Sequence, residues 1–390
     1  MEIRQNKHES DVCYDKRKAY IQQYVATRIG VNNCALLDKQ KYAVPIDEKI
    51  KEDVLDFWSG ILNSHTDMLA MGFFDVYNAV EEDKSKLKYY IPDSFYYAWI
   101  DEWLTHPARS SKVDDKQLYP YLFAGYKTTE VIARKVGDNF FDEDFKPISI
   151  AKFSEICKSQ DEVVVKASIS SYGGHAVRFF NMKEDTIEQV IAYMSKPPYF
   201  YTQPYGTEYV VEKPIKQHKD MAAFNASSVN TIRVITMIWD GKCIPLSSVL
   251  RMGIDGSRVD NCSSGGIVAG IKDDGTLKDV AYTAKGKKFT EHPNTGKFGG
   301  KVIPNFAKAI EMVKELHWRF SGISQLISWD IAIDENGEPV VIEMNISYGE
   351  IDFHQYCNGP IFGDMTKEVL TKFKYKSYTY NAFIGNIGIY

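Results

Sequence analysis

The sequence has few cysteines, and they follow no pattern that would bind a metal or staple a fold. The six are Cys13, Cys34, Cys157, Cys243, Cys262 and Cys357. No two of them form a C-x-x-C pair or show zinc-ligand spacing, which argues against a zinc-ribbon or disulfide-framework protein. We therefore expect reduced thiols and a cytoplasmic location.

Long apolar runs are also missing. No stretch approaches the roughly 18 apolar residues that a membrane-spanning helix requires. The first residues, MEIRQNKHESD, are charged where a signal peptide would carry an apolar core. The sequence therefore predicts no membrane span and no secretion signal.

The chain has no excess of positive charge and no common nucleotide-binding loop. Its 47 Lys and Arg residues against 52 Asp and Glu residues give a net charge of −5, so nucleic acid is not the expected partner. A P-loop is absent, and no G-x-G-x-x-G lies at a strand–helix junction. Walker-type and Rossmann-type nucleotide sites are thereby excluded.

The chain has 390 residues, a length that favours two or three lobes. Its sequence pattern changes along this length. Residues 1–105 lack glycine-rich turns, and apolar residues recur at helical spacing in 47–63 and 93–106. From about residue 112 onwards, hairpins alternate with helices. This mixture predicts an α+β fold with a mostly helical N-terminal region.

The segment ISWDIAIDENGEPVVIEMNISYGE (327–350) places acids within apolar runs. Asn336-Gly337 predicts a two-residue type I′ turn, which would make Asp330 and Glu343 cross-strand neighbours. Asn345 falls on the same face as Glu343. Two like charges this close destabilise a sheet unless a cation neutralises them, and the three oxygen ligands suit Mg²⁺. The alternative is an ordinary hairpin with a solvated polar face.

Two earlier segments suit a nucleotide. Lys166 ends the apolar run VVVK, where a charge is costly unless paired, and a Ser/Gly loop from Ser168 to Gly174 follows it. Such a loop lets backbone N–H groups approach phosphates, although a plain hairpin gives the same pattern. Glu212-Lys213-Pro214 ends a strand and suits a hinge against an adenine base, or else a surface linker.

Two arginines lie in the next pair of strands, on either side of Asp240-Gly241. A two-residue turn there pairs Arg233 with Ser248 and Arg251 with Asn230, which puts the two arginines on opposite faces. Either a single arginine points into a site, or a bulge shifts the register. The small-residue turn DNCSSGG (260–266) follows, where Asn261 and two glycines allow close approach of a phosphate or substrate.

Together these segments resemble the ATP-grasp fold, most closely its sugar-transfer-associated branch, which is found with cell-surface polysaccharide genes. The resemblance covers roughly 112–360, and its specific motifs are NTIRV (230–234), DNCSSGG (260–266) and VIEMN (341–345). It implies two α+β lobes that hold ATP between antiparallel sheets. The lobes would span 112–214, with the phosphate loop, and 215–390, with the Mg²⁺ site, after a helical region at 1–111.

The resemblance also implies roles for individual residues. The set that would bind the nucleotide is Lys135, Lys166, Ser168, Gly173, Gly174, Glu212, Lys213, Asp220 and Asn261. Within it, Lys166 contacts the phosphates, Glu212 lies at the adenine hinge and Asp220 lies near the ribose. Lys135 is assigned as an earlier phosphate-contacting lysine, with Arg134 beside it as the alternative.

On the catalytic side, Arg233 and Arg251 would hold the γ-phosphate and an acyl-phosphate. The residues that would bind Mg²⁺ are Asp330, Glu343 and Asn345. The segment SYGE (347–350) and Gln355 would lie near the acceptor.

The implied function is an ATP- and Mg²⁺-dependent ligase that joins a carboxylate to an amine through an acyl-phosphate. Its substrates would be small molecules, a sugar or an amino acid used in surface polysaccharide. A small-molecule kinase on the same fold is the alternative, since the parts that transfer a γ-phosphate are shared. A non-enzymatic binding module is a third reading, although such a module has little need of two adjacent carboxylates. The sequence does not specify the oligomeric state.

Overall fold

The structure is a computed structural model, and it describes residues 10–62, 69–169, 176–196 and 207–375. Helices occupy the N-terminal part, as the sequence predicts. Their bounds are α1 Asp11–Lys39, α2 Glu48–Leu62, α3 Gly72–Asn78, α4 Asp93–Phe95 and α5 Asp101–Leu104. A π-helical turn, Tyr96–Ile100, joins α4 to α5. The apolar stripe of α2 buries Val54, Trp58 and Leu62.

A first antiparallel sheet forms the small lobe. Its strands are β1 Val131–Val136, β2 Asn139–Phe141, β3 Pro147–Ile148, β4 Glu162–Ala167, β5 Val177–Asn181 and β6 Tyr209–Glu212. They lie in the order β3-β2-β1-β6-β4-β5. Helices α8 (Ile150–Lys158) and α9 (Ile187–Met194) cover one face, where Val163, Val165 and Val211 join the apolar core.

A second antiparallel sheet forms the large lobe, in the order β11-β10-β9-β8-β7-β14-β15. Its strands are β7 Thr231–Trp239, β8 Lys242–Met252, β9 Ile267–Ile271, β10 Leu277–Tyr282, β11 Lys288–Phe289, β14 Leu326–Ile333 and β15 Pro339–Asn345. A small separate ribbon pairs β12 (Glu291–His292) with β13 (Gly296–Lys297). The remaining helices are α6 Pro107–Ser110, α7 Tyr119–Leu122, α10 Lys219–Ala222, α11 Phe306–Arg319, α12 Asp352–Asn358 and α13 Thr366–Tyr375.

The large sheet is buried on both faces. Helix α11 covers one face, and the N-terminal helices with α12 and α13 cover the other, so that Trp58 and Met237 share one core with Phe353. Tyr119 and Phe123, from the start of the segment assigned to the small lobe, pack in the core beneath α11. The N-terminal helices therefore pack directly against one face of the large sheet.

A bulge in the β7–β8 hairpin decides where the two arginines point. Near the turn, Trp239 faces Lys242 as the sequence predicts, but the register shifts by one between Ile235 and Thr236. Arg233 therefore faces Val249, and Arg251 faces Thr231. Directly opposed residues share a face, and so the bulge brings both arginines to the face that is turned away from α11. Of the two alternatives left open by the sequence, the structure has the second.

The β14–β15 hairpin has the predicted pair but not the predicted turn. Asp330 lies opposite Glu343, which confirms the expected neighbours. The two-residue turn is wrong: Ile333 faces Pro339, Gly337 N donates to Asp334 O at 2.9 Å, and of the loop residues only Gly337 has a positive φ. The loop thus holds three residues, and an extra residue on β15, Ile342, restores the expected register further along.

Candidate functional site

Two buried arginines converge on one carboxylate in the middle of the large sheet. Arg233 Nε and Nη2 each donate to an oxygen of Asp330 at 2.7 Å, and Arg251 Nη1 donates to Asp330 Oδ2 at 3.0 Å. Asp260 accepts from Arg251 Nη2 at 2.8 Å. We call these four residues the arginine cluster. Three adjacent strands supply three of its members, and so the sheet itself fixes their separation.

The loop after β8 supplies further hydrogen-bond acceptors that orient Arg251. Asn261 Oδ1 accepts from Arg251 Nη2 at 2.6 Å, and Asp260 also accepts from the backbone N–H and the hydroxyl of Thr231. The Nε of Arg251 is buried and has no hydrogen-bond partner in the part of the chain described. A buried guanidinium donor without a partner is costly. It is therefore a ready donor for an anion.

Electrostatics keeps Asp330 ionised. Burial by itself would raise the pKa of Asp330, but the guanidinium groups of Arg233 and Arg251 outweigh it and lower the pKa to about 2. Glu350 accepts from Arg233 Nη1 at 3.0 Å. Its side chain remains 40% exposed, so Glu350 lies at the open edge of the cluster, within the segment SYGE that the resemblance places near the acceptor.

Each carboxylate of the predicted Mg²⁺ set has its own protein cation. Asp330 is held by the arginines, and Glu343 Oε1 accepts from Lys116 Nζ at 2.7 Å. The protein itself therefore balances the two like charges, and no ion between them is required for the pair to be stable. Across the described ranges, no three His, Cys, Asp or Glu side chains are grouped to hold a metal.

The donor set nevertheless fits a hard cation at its open side. Glu343 is 24% exposed at its side chain, and the hydrogen bond to Lys116 occupies one of its two oxygens. The side-chain nitrogen of Asn345 is buried and has no hydrogen-bond partner among the residues that the structure describes. Since the oxygen and nitrogen of an amide are assigned from their partners, rotation of this amide would present its oxygen. Glu343 and Asn345 can therefore contribute oxygen ligands without breaking an existing bond.

Lys116 is a site residue that the sequence reasoning missed. It is buried, and its backbone N–H donates to Ser168 O at 2.9 Å, so it bridges the small lobe and strand β15. Burial would lower the pKa of Lys116, but Glu343 and Asp114 more than offset this and raise it, which keeps the ammonium charged. The only signal in the sequence is a lysine after two acids, which resembles a surface segment.

The small lobe presents a second lysine–glutamate pair. Lys166 Nζ lies 2.6 Å from Glu212 Oε2, and the Thr129 hydroxyl donates to Glu212 Oε1 at 2.7 Å. Lys166 lies opposite Val210 on β6, on the face that is not covered by α8 and α9. The side chain of Glu212 is therefore already engaged by Lys166 and Thr129.

Lys135 lies on the other face of the same sheet. It is opposite Tyr209 and Phe140, both in the core beneath the helices, and its Nζ donates to Gly137 O. Burial lowers the pKa of Lys135. Its neighbour Arg134 lies opposite Val210 and so shares the face of Lys166, with its guanidinium 4.1 Å from the ring centre of Phe145. The register thus separates Lys135 from the other phosphate-side residues.

The remaining nucleotide-side residues are spread along the lobe junction. Lys213 N donates to Glu130 O at 2.9 Å, which fixes the hinge backbone. Asp220 is the second residue of the short helix α10, and its side chain is 60% exposed. The Ser168 hydroxyl is buried without a partner among the described residues. Gly173 and Gly174 lie outside the described residues.

The side-chain amide of Gln355 is bound to the N-terminal region. Its amide nitrogen donates to Ile91 O at 2.9 Å and to the Tyr77 hydroxyl at 3.1 Å, and its amide oxygen accepts from Ile91 N at 3.0 Å. The side chain is fully buried. Gln355 therefore joins α12 to the N-terminal region, and its place near the acceptor stays a prediction.

Comparison with known proteins gives a family and several distant structural likenesses. A family model described as sugar-transfer associated ATP-grasp matches residues 104–370. No curated protein matches the chain. No helix in the described ranges has the length and apolar character needed to cross a membrane.

Among solved structures, the chain is similar to the biotin carboxylase domain of the 2-oxoglutarate carboxylase of Hydrogenobacter thermophilus. That match has 14% identity and a TM-score of 0.40, and it covers 68% of this chain and 46% of the other. It is also similar to D-alanyl-alanine synthetase A from Vibrio cholerae, with 14% identity, a TM-score of 0.38, and coverage of 72% and 65%. The chain thus spans about half to two thirds of the length of these two structures.

Proposed function

The chain belongs to the sugar-transfer-associated ATP-grasp family, and from that membership we propose that it is an ATP-dependent carboxylate–amine ligase. Membership and the two antiparallel sheets confirm the predicted α+β, ATP-grasp fold. The residues that build the site support the proposal in three steps, which concern the arginines, the lysines and the oxygen ligands.

The arginine cluster is the observation that carries the proposal. A bulge brings Arg233 and Arg251 together on one face, and Arg251 keeps a buried Nε donor free of any described partner. Fixed guanidinium donors in a water-poor site stabilise charge that develops on a transferred phosphoryl group. We assign to Arg233 and Arg251 the γ-phosphate of ATP and the acyl-phosphate that follows it.

Two lysines are suited to the remaining phosphates. Lys166 pairs with Glu212 on the neighbouring strand of the small lobe, whereas Lys116 pairs with Glu343 on β15 of the large lobe. A lysine ammonium is a point charge on a flexible stem, and so each can turn from its glutamate towards a phosphate oxygen. We assign to Lys116 the role of the earlier phosphate-contacting lysine, in place of Lys135, because Lys135 lies on the helix-covered face.

The proposed site for Mg²⁺ is Glu343 with Asn345 and the adjacent Asp330. When bound, Mg²⁺ would neutralise phosphate charge and orient the nucleotide. Asp330 is already saturated by two arginines, so we assign the principal ligation to Glu343 and Asn345. For the adenine and ribose ends of ATP, the hinge at Glu212-Lys213 and Asp220 remain the proposed contacts, with Ser168, Gly173, Gly174 and Asn261 on the phosphate side.

The proposed reaction balances without a covalent enzyme intermediate. An oxygen of the substrate carboxylate forms a bond to the γ-phosphorus, and the bond from that phosphorus to the β,γ-bridging oxygen breaks and releases ADP. The amine nitrogen then attacks the acyl carbon, loses a proton, and expels phosphate that retains the former carboxylate oxygen. Positioning and charge neutralisation supply the catalysis.

We propose that the modified molecule is a sugar or an amino acid used in surface polysaccharide synthesis, such as capsule formation. The family description, sugar-transfer associated, supports the link to sugars. We propose small-molecule substrates and a cytoplasmic location, since the cysteines follow no disulfide pattern. Glu350 at the open edge of the arginine cluster marks the side from which the amine approaches.

Phosphorus NMR with an oxygen-18-labelled carboxylate tests the proposal. The chain is incubated with Mg·ATP and panels of labelled amino acids or sugar acids, with and without amines. A ligase gives ADP and free phosphate in equal amounts only when both substrates are present, and the phosphate carries one oxygen-18. Arg251→Lys should abolish this signal, because a lysine cannot reproduce the fork of donors. Arg178→Lys, on the small lobe, is the matched control.

The other outcomes separate the alternatives. ADP with a new phosphorylated product and no free phosphate would establish a kinase instead. Free phosphate without the label would mean ATP hydrolysis that bypasses an acyl-phosphate, which contradicts the proposed reaction.

A further inference from the structure

A third arginine, Arg258, contacts the small lobe from the loop that holds the arginine cluster. Its Nη2 donates to Glu162 Oε2 at 2.8 Å, and its guanidinium carbon lies 4.2 Å from the ring centre of Phe179. Glu162 is on β4 and Phe179 is on β5, whereas Arg258 belongs to the large lobe. A guanidinium that stacks on a ring while it forms an ion pair is held in one orientation.

Arg258 lies only two residues before Asp260, which accepts from Arg251 at 2.8 Å. The loop between them is tightly packed. A Cβ added at Gly253 would lie 2.8 Å from the carbonyl oxygen of Val259, and one added at Gly266 would lie 2.4 Å from that of Asp260. The Ser257 hydroxyl also bonds to both backbone groups of Val259. A displacement of Arg258 is therefore passed to Asp260 rather than absorbed within the loop.

Arg251 depends on this loop for its direction. Its Nη2 is held by Asp260 and Asn261, its Nη1 by Asp330, and its Nε has no partner among the described residues. Two of these three acceptors are loop residues. The direction of the free Nε is therefore decided by where the loop lies.

We propose that Arg258 is a positioning residue that couples the seating of the small lobe to the orientation of Arg251. When Glu162 and Phe179 hold Arg258, the loop places Asp260 so that the Nε of Arg251 faces the γ-phosphate. The inference rests on the proposed function, since it needs ATP in the cleft. It adds a residue that senses lobe position and that contacts no substrate itself.

The test compares two nucleotides, because only one of them reaches Arg251. Dissociation constants for Mg·ADP and for the Mg complex of a non-hydrolysable ATP analogue are measured calorimetrically on the full chain. For Arg258→Ala, the affinity for the analogue should fall about fivefold while that for ADP changes less than about twofold, as expected when one charged hydrogen bond to the γ-phosphate is weakened. If Arg258 only held the two lobes together, its removal would weaken the binding of both nucleotides equally.

Two further variants and one control make the result specific. Arg258→Lys keeps a cation over Phe179 and beside Glu162, and it should restore most of the preference for the analogue. Glu162→Gln should lower that preference in the same direction as Arg258→Ala. Arg178→Ala is the control, because Arg178 stacks on Phe180 and Tyr193 within the small lobe and so makes the same kind of contact on one lobe alone.

An unchanged ratio of the two dissociation constants in Arg258→Ala, or equal weakening of both nucleotides, would overturn the coupling. The absence of any nucleotide binding by the unaltered chain would instead overturn the proposed function. The two failures are therefore distinguishable.

Discussion

The arginine cluster and the two lysine–glutamate pairs both balance buried charge, but they do so in different ways. In the arginine cluster, Asp330 receives three hydrogen bonds from two guanidinium groups on neighbouring strands, and Asp260 and Asn261 of the loop after β8 also hold Arg251. Lys116 and Lys166 each meet one carboxylate with one ammonium, and each pair joins parts of the chain that are distant in sequence.

This difference indicates separate roles for the arginine cluster and for the two lysine–glutamate pairs. Forked donors on adjacent strands hold a rigid arrangement that loses stability when one member is removed. Single ammonium groups can exchange a glutamate for a phosphate at little structural cost. We therefore expect variants of the arginine cluster to affect folding first, and variants of the lysines to affect nucleotide binding first.

Asp330→Asn should give the largest effect. It removes the charge that holds two buried guanidinium groups, and breaking a buried ion pair from one side costs about 3–5 kcal/mol. Urea unfolding followed by tryptophan fluorescence should show a loss of this size, together with loss of turnover. Asp144→Asn, at an exposed ion pair with Lys146, is the control. A loss below about 1 kcal/mol would show that the cluster is not rigid in the sense described.

Lys116→Met should affect nucleotide affinity more than it affects the free energy of unfolding. Methionine keeps the length of the side chain, and Glu343 is partly exposed and so can reach water when its partner is removed. We expect affinity for Mg·ATP to fall about tenfold, the effect of one charge-assisted contact, with a smaller change in the free energy of unfolding than for Asp330→Asn.

Lys308→Met, at an exposed pair with Glu338, serves as the control for Lys116→Met. The assignment of separate roles is wrong if Lys116→Met lowers the free energy of unfolding as much as Asp330→Asn does while the affinity for Mg·ATP stays unchanged.

The pH dependence of the Asp330→Asn effect should be the smallest change and the sharpest test of the charge model. The pKa of Asp330 is about 2 in the folded chain, below its unfolded value of about 3.9. A carboxyl with a lowered folded pKa stabilises the fold above its unfolded pKa, and this contribution is lost as pH falls towards the folded pKa.

The difference in unfolding free energy between wild type and Asp330→Asn should therefore stay level from about pH 8 to about pH 5, and narrow by about 1 kcal/mol by about pH 3. Urea titrations at four pH values measure it. A difference that already shrinks between neutral pH and about pH 5 would mean that the arginines do not control this carboxyl.

Part of this site could be predicted from the sequence, because the predictions needed only alternation along a strand and the motifs around it. The pairing of Asp330 with Glu343 was predicted correctly, but through two errors that cancel. The loop has one residue more than expected, and the bulge at Ile342 removes the resulting shift. For the β7–β8 hairpin no second error cancels the first, and the single bulge changes the face of Arg251 relative to Arg233.

Bulges could not be placed from the sequence because their energies depend on what packs against both faces of a sheet. Lys116 and Lys135 show the same limit for burial. Lys135 lies in an apolar strand, a position that favours a buried functional lysine, yet its side chain faces the helices. Lys116 lies among acids, a pattern typical of a solvent-exposed segment, yet it is buried against Glu343.

The sequence by itself determined the order of the elements, the helical N-terminal region, and which acids and arginines lie in the strands of the candidate site, because periodicity depends on near neighbours in the chain. Tertiary structure alone decided which faces those residues share, which lysine meets β15, and how the N-terminal helices close the large sheet. Those outcomes depend on register shifts and on packing between segments that lie far apart in the chain, and local sequence preferences carry no information about either.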